Sequence, residues 1–555
     1  MTATATATMP ATLRCPRHRC RFRVALCLAL LAGVLASAPL PARATLTLPA
    51  IFNNNAVFLR DTPIPVWGNA APAEKITVTL SLLPSAPGTT PVSATTTADP
   101  DTGHWSVTLP AQPASHLPRT LTITGSATPA PLRLENILIG EVWLASGQSN
   151  MAWLVKDTTD ARTTIDASAN PNVRVYNLPR VIADAPLADA PGAWRVASPA
   201  TTGWMSAVAY HFARKLHADL GVPVAVICAS RGSTRIQSWI PLSVFNQNPA
   251  FADDRDQWRQ DLTAWPQKKA GWEKKLDDWK SRAAAARSAG KPEPKRPQQP
   301  PGPGHYNQPA GYYNAMIAPV TKVPVRGFLW YQGEANARRA ARYRETLPAL
   351  ITSWRETWGR GDLPFLIVQL AAYRAPGFAP DGLERAGLRE AQALAVERLP
   401  ATGLVVTLDV SGPESKEHPR DKRPVGERLA RLAGSLAYGN DTLTVNGPTL
   451  AIATFDGPIA RVTYQPGTAG GLRTTDNASP SAFLLAGPDH VFHPAEARIE
   501  TETTILLTSP AVSAPIAVRY AFCNDPKVNL VNAAGLPAAP FRTDDWPLTA
   551  TPDNQ

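Results

Sequence analysis

The stretch Ile137-Leu138-Ile139-Gly140-Glu141-Val142-Trp143-Leu144-Ala145-Ser146-Gly147-Gln148-Ser149-Asn150-Met151 decides the fold. Residues 137–144 are apolar at both parities, with Glu141 the one charged exception. A half-exposed strand alternates apolar and polar residues, so a run like this belongs to a strand covered on both faces. Similar runs recur at 222–227, 325–330, 365–370 and 404–408, with helical stretches such as 207–220 and 389–398 between them. Doubly buried strands alternating with helices predict an α/β domain over residues 135–441, a parallel sheet with helical cover.

On either side the pattern differs. Residues 45–134 carry short alternating runs (56–59, 75–80, 105–109, 120–123) separated by Pro, Gly, Asn and Asp clusters. That spacing predicts an N-terminal β-domain of sandwich-like character. Alternation returns at 451–455, 459–464, 503–508 and 516–523, which predicts a C-terminal β-domain over 442–555. The 56 prolines and 35 glycines suit β-rich domains and structured loops better than helical bundles. Inside the α/β domain, residues 251–300 form a charged insertion in which Trp258, Trp265, Trp272 and Trp279 recur every seventh position. This is an amphipathic helix pattern, broken or kinked near Pro266, whose Trp face packs on the domain or serves as a stacking platform for sugars. A Pro-rich linker, 291–304, returns the chain to the sheet.

Composition excludes several classes. With 44% hydrophobic and 18% charged residues the chain is not dominated by disorder. The formal charge of +11 does not make a nucleic-acid-binding face, because much of it sits in two places. Arg14, Arg17, Arg19, Arg21, Arg23 and Arg43 lie in residues 1–44 without a single acid, and 251–300 holds 12 Lys/Arg against 8 Asp/Glu. The N-terminal arginines precede an apolar run at 24–36 and the small-residue sites Ala36-Ser37-Ala38 and Ala42-Arg43-Ala44. A basic region, a short apolar core and A-x-A sites predict a signal peptide over 1–44 and a secreted or periplasmic protein with no membrane anchor after cleavage. Cys15, Cys20 and Cys27 would leave with it. Cys228 and Cys523 remain, read as two small buried thiols, although an oxidising compartment would let them pair. No CxxC or HExxH occurs, so no metal is expected.

Open α/β sheets place their sites at the carboxyl ends of the strands. There the first strand offers the Ser149 hydroxyl, in Gly147-Gln148-Ser149-Asn150-Met151. The second offers a backbone N–H at Gly232, and the third the Gln332 amide in Tyr331-Gln332-Gly333-Glu334. The last leads to His418, with His305 the one serious rival for the base. A nucleophile, a base and donors for an oxyanion are the parts of acyl transfer.

Gly-Gln-Ser-Asn-Met at 147–151, Trp-Tyr-Gln-Gly-Glu at 330–334 and His418-Pro419, followed by Val425-Gly426-Glu427-Arg428-Leu429-Ala430, resemble the sialate O-acetylesterase family, a group of SGNH hydrolases. Supporting motifs are Tyr313-Asn314-Ala315-Met316-Ile317-Ala318-Pro319 and Arg519-Tyr520 with Gly535-Leu536-Pro537, and the likeness spans most of 49–546. The resemblance implies an SGNH-type three-layer domain and a secreted carbohydrate O-acetylesterase needing no cofactor, with an O-acetylated carbohydrate as substrate. Ser149 would be nucleophile and His418 general base. The Ser149 and Gly232 N–H groups with the Gln332 amide would form the oxyanion hole. The pattern departs at the triad acid: relatives place Asp two residues before the His, and Lys416 stands there, with Ser415 one position earlier. Of Glu417, Glu414 and Asp409, Glu414 is the expected orienter of His418, because a turn can bring its longer side chain under the ring. Acetyl esters on sialates lead as substrate, with acetylated xylan or another plant glycan as the alternative. A peptidase or lipase on the same nucleophile, and a carbohydrate-binding protein with a decayed centre, are the competing classes.

Overall fold

A computed structural model describes residues 45–82, 90–374, 382–412 and 416–548. The expected signal peptide (1–44) and Glu414 lie outside the described residues. No helix among the described residues is long and apolar enough to cross a membrane.

The predicted strand at 137–144 is the middle of a longer one, Leu132–Gly147. Its C-terminal half pairs in parallel with Val224–Ser230 on one side and Gly327–Tyr331 on the other. Asn170–Asn177 continues the sheet beyond Val224–Ser230, and Phe365–Val368 then Thr402–Val405 continue it beyond Gly327–Tyr331, all parallel. The last strand, Trp194–Ala197, is antiparallel at the edge. From Leu132–Gly147 the chain builds to one side first and to the other afterwards, so the strand order reverses next to it. A crevice opens at the carboxyl ends of strands at such a reversal.

Alternation along the central strand explains its double burial. Val142 and Leu144 join one apolar cluster, together with Leu347, Ile351 and Leu388 from the helices Ala340–Trp358 and Glu384–Arg398. Trp143 and Ala145 join another, with Val208, Phe212, Leu429 and Ala433 from Ala207–Leu220 and Arg423–Leu436. The sheet therefore lies between two helix pairs. Ala207–Leu220 starts on Ser206, whose side chain caps the Ala209 N–H, and stops at Gly221 in the left-handed conformation.

The N-terminal half of the same central strand belongs to the β-region before it. It pairs antiparallel with Ser115–Gly125 and parallel with Val57–Leu59. The division expected at 134/135 thus falls inside one continuous strand. Beyond the sheet domain, two four-stranded antiparallel sheets share a core that includes Val462 and Ile505 from one and Leu485 and Val518 from the other.

The insertion is a single helix, Ala252–Ser288, and the helix runs through Pro266 without the expected break. Its Trp stripe is covered chiefly by the Pro-rich return rather than by the domain. Trp272 and Trp279 donate through Nε1 to the carbonyls of Pro297 (3.4 Å) and Pro294 (2.7 Å), and Gly302 lies flat against Trp265. Trp258 alone reaches the main core. No disulfide joins Cys228 and Cys523; Cys228 is buried, which pushes it up to about 12, and Cys523 is half-buried.

Candidate active site

Ser149 follows the central strand at the point where the order reverses. The turn that presents it needs Gly147: φ there is +137°, and a Cβ would meet the Tyr331 carbonyl oxygen at 2.1 Å. The Gln148 N–H donates to that same carbonyl at 3.0 Å, and the Gln148 side-chain oxygen accepts from the N–H groups of Gly333 (3.4 Å) and Ala335 (3.3 Å). Ser149 is thereby fixed at the start of the short helix Ser149–Ala152.

The structure brings His418 to it across 269 positions of sequence, with His418 Nε2 2.7 Å from Ser149 Oγ. Trp153 stacks on the imidazole at a centroid distance of 5.2 Å and 21° between planes. Burial pulls the ring below the usual histidine range; Glu417 opposes that shift, and Lys422 and Arg385 add to it. An imidazole that stays neutral and hydrogen-bonded to a hydroxyl can take its proton. Gly232 faces the same serine, since a Cβ there would lie 3.4 Å from Ser149 Cβ. The rival His305 is engaged elsewhere. It is buried, its Nδ1 accepts from the Asn307 N–H at 3.1 Å, and burial drops it to about 4.

Gln332 does not fit the place expected for it. Its side chain is 0% exposed and Nε2 donates to the Thr234 carbonyl (3.0 Å) and to Asn336 Oδ1 (2.8 Å), so both amide hydrogens are spent. Its Oε1 accepts from the Tyr343 hydroxyl at 2.9 Å. Gln332 is a buried tie between the strand-end loops. Among the acids weighed beside His418, Asp409 forms a two-pronged ion pair with Arg428 and anchors the loop. The Glu417 carboxylate faces Arg385 at 3.9 Å.

One network was not foreseen. The Asn150 side chain donates to Glu334 Oε1 (2.5 Å) and to the Glu417 carbonyl (3.0 Å), and its Oδ1 accepts from Lys422 Nζ (2.5 Å). One amide thus binds the Ser149 turn to the loop after Gly327–Tyr331, to the His418 loop and to the start of the helix Arg423–Leu436. Burial lowers Lys422 to about 7 and raises the Glu334 carboxyl. Asn150 lies inside the quoted 147–151 motif, which is the signal that could have found it. Nothing near Lys422 marks it in the sequence.

A parallel sheet carrying a hydroxyl–imidazole pair at its reversal point offers the parts of acyl transfer, and the chain's relatives narrow that to ester hydrolysis. A family described as carbohydrate esterase, sialic acid-specific acetylesterase matches residues 304–434. Human sialate O-acetylesterase is 28% identical over 429 residues, 72% of each chain, and the mouse protein 26% identical over 86% of this chain and 90% of its own. The crystal structure of a carbohydrate acetylesterase from Xanthomonas citri superposes with a TM-score of 0.74 at 34% identity, covering 90% of this chain and all of that one. This chain is a carboxylic ester hydrolase. It belongs to the sialate O-acetylesterase family of carbohydrate esterases.

Proposed function

We propose that the chain removes O-acetyl groups from sugars, acetylated sialates first among them, by a Ser149–His418 acyl-enzyme route. The 2.7 Å contact between His418 Nε2 and Ser149 Oγ carries this reading. Ser149 Oγ attacks the acetyl carbonyl carbon while His418 accepts its proton. The tetrahedral oxygen takes hydrogen bonds from the Ser149 and Gly232 N–H groups, which meet full charge only in the transition state. The bond to the sugar oxygen breaks, and His418 returns its proton to that oxygen. Water, deprotonated by His418, then attacks the acetyl-serine, releasing acetate and free Ser149. No step calls on a cofactor. Glu414 remains the proposed orienter of the imidazole, since Asp409 and Glu417 are each directed at an arginine. Secretion, with residues 1–44 as the cleaved leader, belongs to the same proposal.

Acetate release from an O-acetylated sialoside, an acetylated xylo-oligosaccharide and p-nitrophenyl acetate, with and without a serine-directed phosphonate, tests the reading. Inhibited release from the sialoside supports it. Release from p-nitrophenyl acetate alone would remove the sugar from the assignment.

A further inference from the structure

We propose that residues 267–296, the outer part of the inserted helix and its Pro-rich return, form a docking surface for an acidic polysaccharide, a polyuronate, separate from the site at Ser149.

Charge is divided sharply along this insertion. Residues 251–266 hold two Arg and four Asp, whereas 267–296 hold ten Lys or Arg and four Asp or Glu, a net charge of +6. All four of those acids are paired locally: Glu273 with Lys269 (3.8 Å), Asp277 with Lys280 (2.8 Å), Asp278 with Arg282 (2.8 Å) and Glu293 with Arg287 (2.9 Å). Arg296 lies over the Trp279 ring, 5.6 Å from its centroid. Lys268, Lys274, Lys275, Lys291 and Lys295 remain, exposed and with no acid partner among the described residues.

Nothing in the sheet domain draws on these cations. Among the described residues, the side-chain hydrogen bonds and ion pairs of 267–296 all end within the helix and its return. Lys268, Lys275 and Arg282 each stand three positions after a tryptophan of the stripe, so they border it at intervals of about 10 Å. The return crosses the same stripe, Pro294 at Trp279 and Pro297 at Trp272, with Lys295 between those two contacts. Helix and return thus carry their lysines on one short hairpin.

The partner follows from what the hairpin lacks. A lipid surface takes an amphipathic helix by its apolar face, and here the return covers that face. A single-stranded nucleic acid needs open aromatic rings under its bases, and the same tryptophans are engaged. Lysine is a hydrated point charge without the fork of arginine, suited to a repeated, loosely placed anion. Lys269 and Lys280 already hold carboxylates on this hairpin. A polyuronate repeats that group along a polymer of the kind a carbohydrate esterase meets.

Affinity electrophoresis of the intact protein through polygalacturonate tests this, with the fully methyl-esterified polymer as the uncharged comparison. Wild type should be retarded by the acid and not by the ester, and its affinity should fall steeply between about 50 and 200 mM salt as counterions compete. The variant carrying Lys268→Gln, Lys274→Gln, Lys275→Gln, Lys291→Gln and Lys295→Gln keeps helix-forming residues and should bind on the order of 10-fold or more weakly. Its melting temperature and p-nitrophenyl acetate activity should match wild type. Equal retardation of wild type by acid and ester, or a folded variant that binds polygalacturonate as wild type does, would overturn the docking surface. Binding to phosphatidylglycerol vesicles with none to polygalacturonate would overturn the polysaccharide as partner. Binding is read without acetate release, so its failure leaves the esterase reading untouched.

Discussion

His418 moves the proton in this account, and the charges around it set the pH at which it is free to do so. Burial first, then Lys422 and Arg385, hold the imidazole below the usual histidine value of about 6.5 against the pull of Glu417. The acid limb of kcat/KM on p-nitrophenyl acetate should therefore have its midpoint below that value. Lys422→Met removes a cation, eases protonation of the ring and should move the limb to higher pH. Glu417→Gln removes an anion and should move it lower. If both variants keep the wild-type limb, His418 is not the titrating base. Gln332 makes a different prediction from the one its motif suggests. Gln332→Ala strips partners from the Thr234 carbonyl, Asn336 and the Tyr343 hydroxyl in a dry interior, and should cost about 2–3 kcal/mol of stability in urea unfolding. A variant of unchanged stability whose kcat drops about 100-fold would restore Gln332 to the oxyanion hole.

At the scale of elements, the Ala252–Ser288 helix and its Pro-rich return form a hairpin-like arm. The arm is tied to the domain at its base by Asp254 with Arg339 and Arg342, and by Trp258. Because Trp272 already touches Pro297, replacing 273–296 by a short Gly-Ser turn should leave circular dichroism, melting temperature and p-nitrophenyl acetate activity near wild type. Aggregation or loss of the melting transition would mean that the distal arm supports the core. The arm shows what a sequence can and cannot disclose. Heptad-spaced tryptophans announce a helix with an apolar stripe, but which surface covers that stripe depends on where the return segment runs. Five of the sheet strands were legible because each is largely apolar at both parities, whereas Asn170–Asn177, with Arg174 in its middle, was not. Trp194–Ala197 likewise has the burial of an edge strand and gives no such signal. That Ser149, Gly232 and His418 come together was legible from their places at strand ends. The partners of Gln332 were not, because its direction depends on Thr234 and Asn336, which lie on other elements.

Across the whole molecule, the strand Leu132–Gly147 couples the N-terminal β-region to the catalytic sheet. Glu141, fully buried on that strand, receives Arg60 (2.5 Å) from the β-region and Arg326 (2.8 Å) from the approach to Gly327–Tyr331. Glu141→Gln leaves two partly buried guanidinium groups without their counter-charge and should cost about 3 kcal/mol. A single unfolding transition shifted to lower urea fits this coupling. Two separated transitions, with the sheet domain unaffected, would contradict it. The boundary read at 134/135 from the change in hydrophobic pattern falls inside the same strand. Burial changes from one face to two at Ile137, while the backbone passes through unbroken.

The central claim is that an acetyl group passes through Ser149. Protein quenched with acid during turnover of an O-acetylated sugar, then digested and analysed by mass spectrometry, reports this directly. The account predicts one acetyl group on the peptide carrying Ser149. It also predicts that the adduct is absent in Ser149→Ala, whose acetate release should fall on the order of 10⁴-fold while the fold is kept. An acetyl group on another residue, or a Ser149→Ala protein that keeps more than a few per cent of activity, would contradict it.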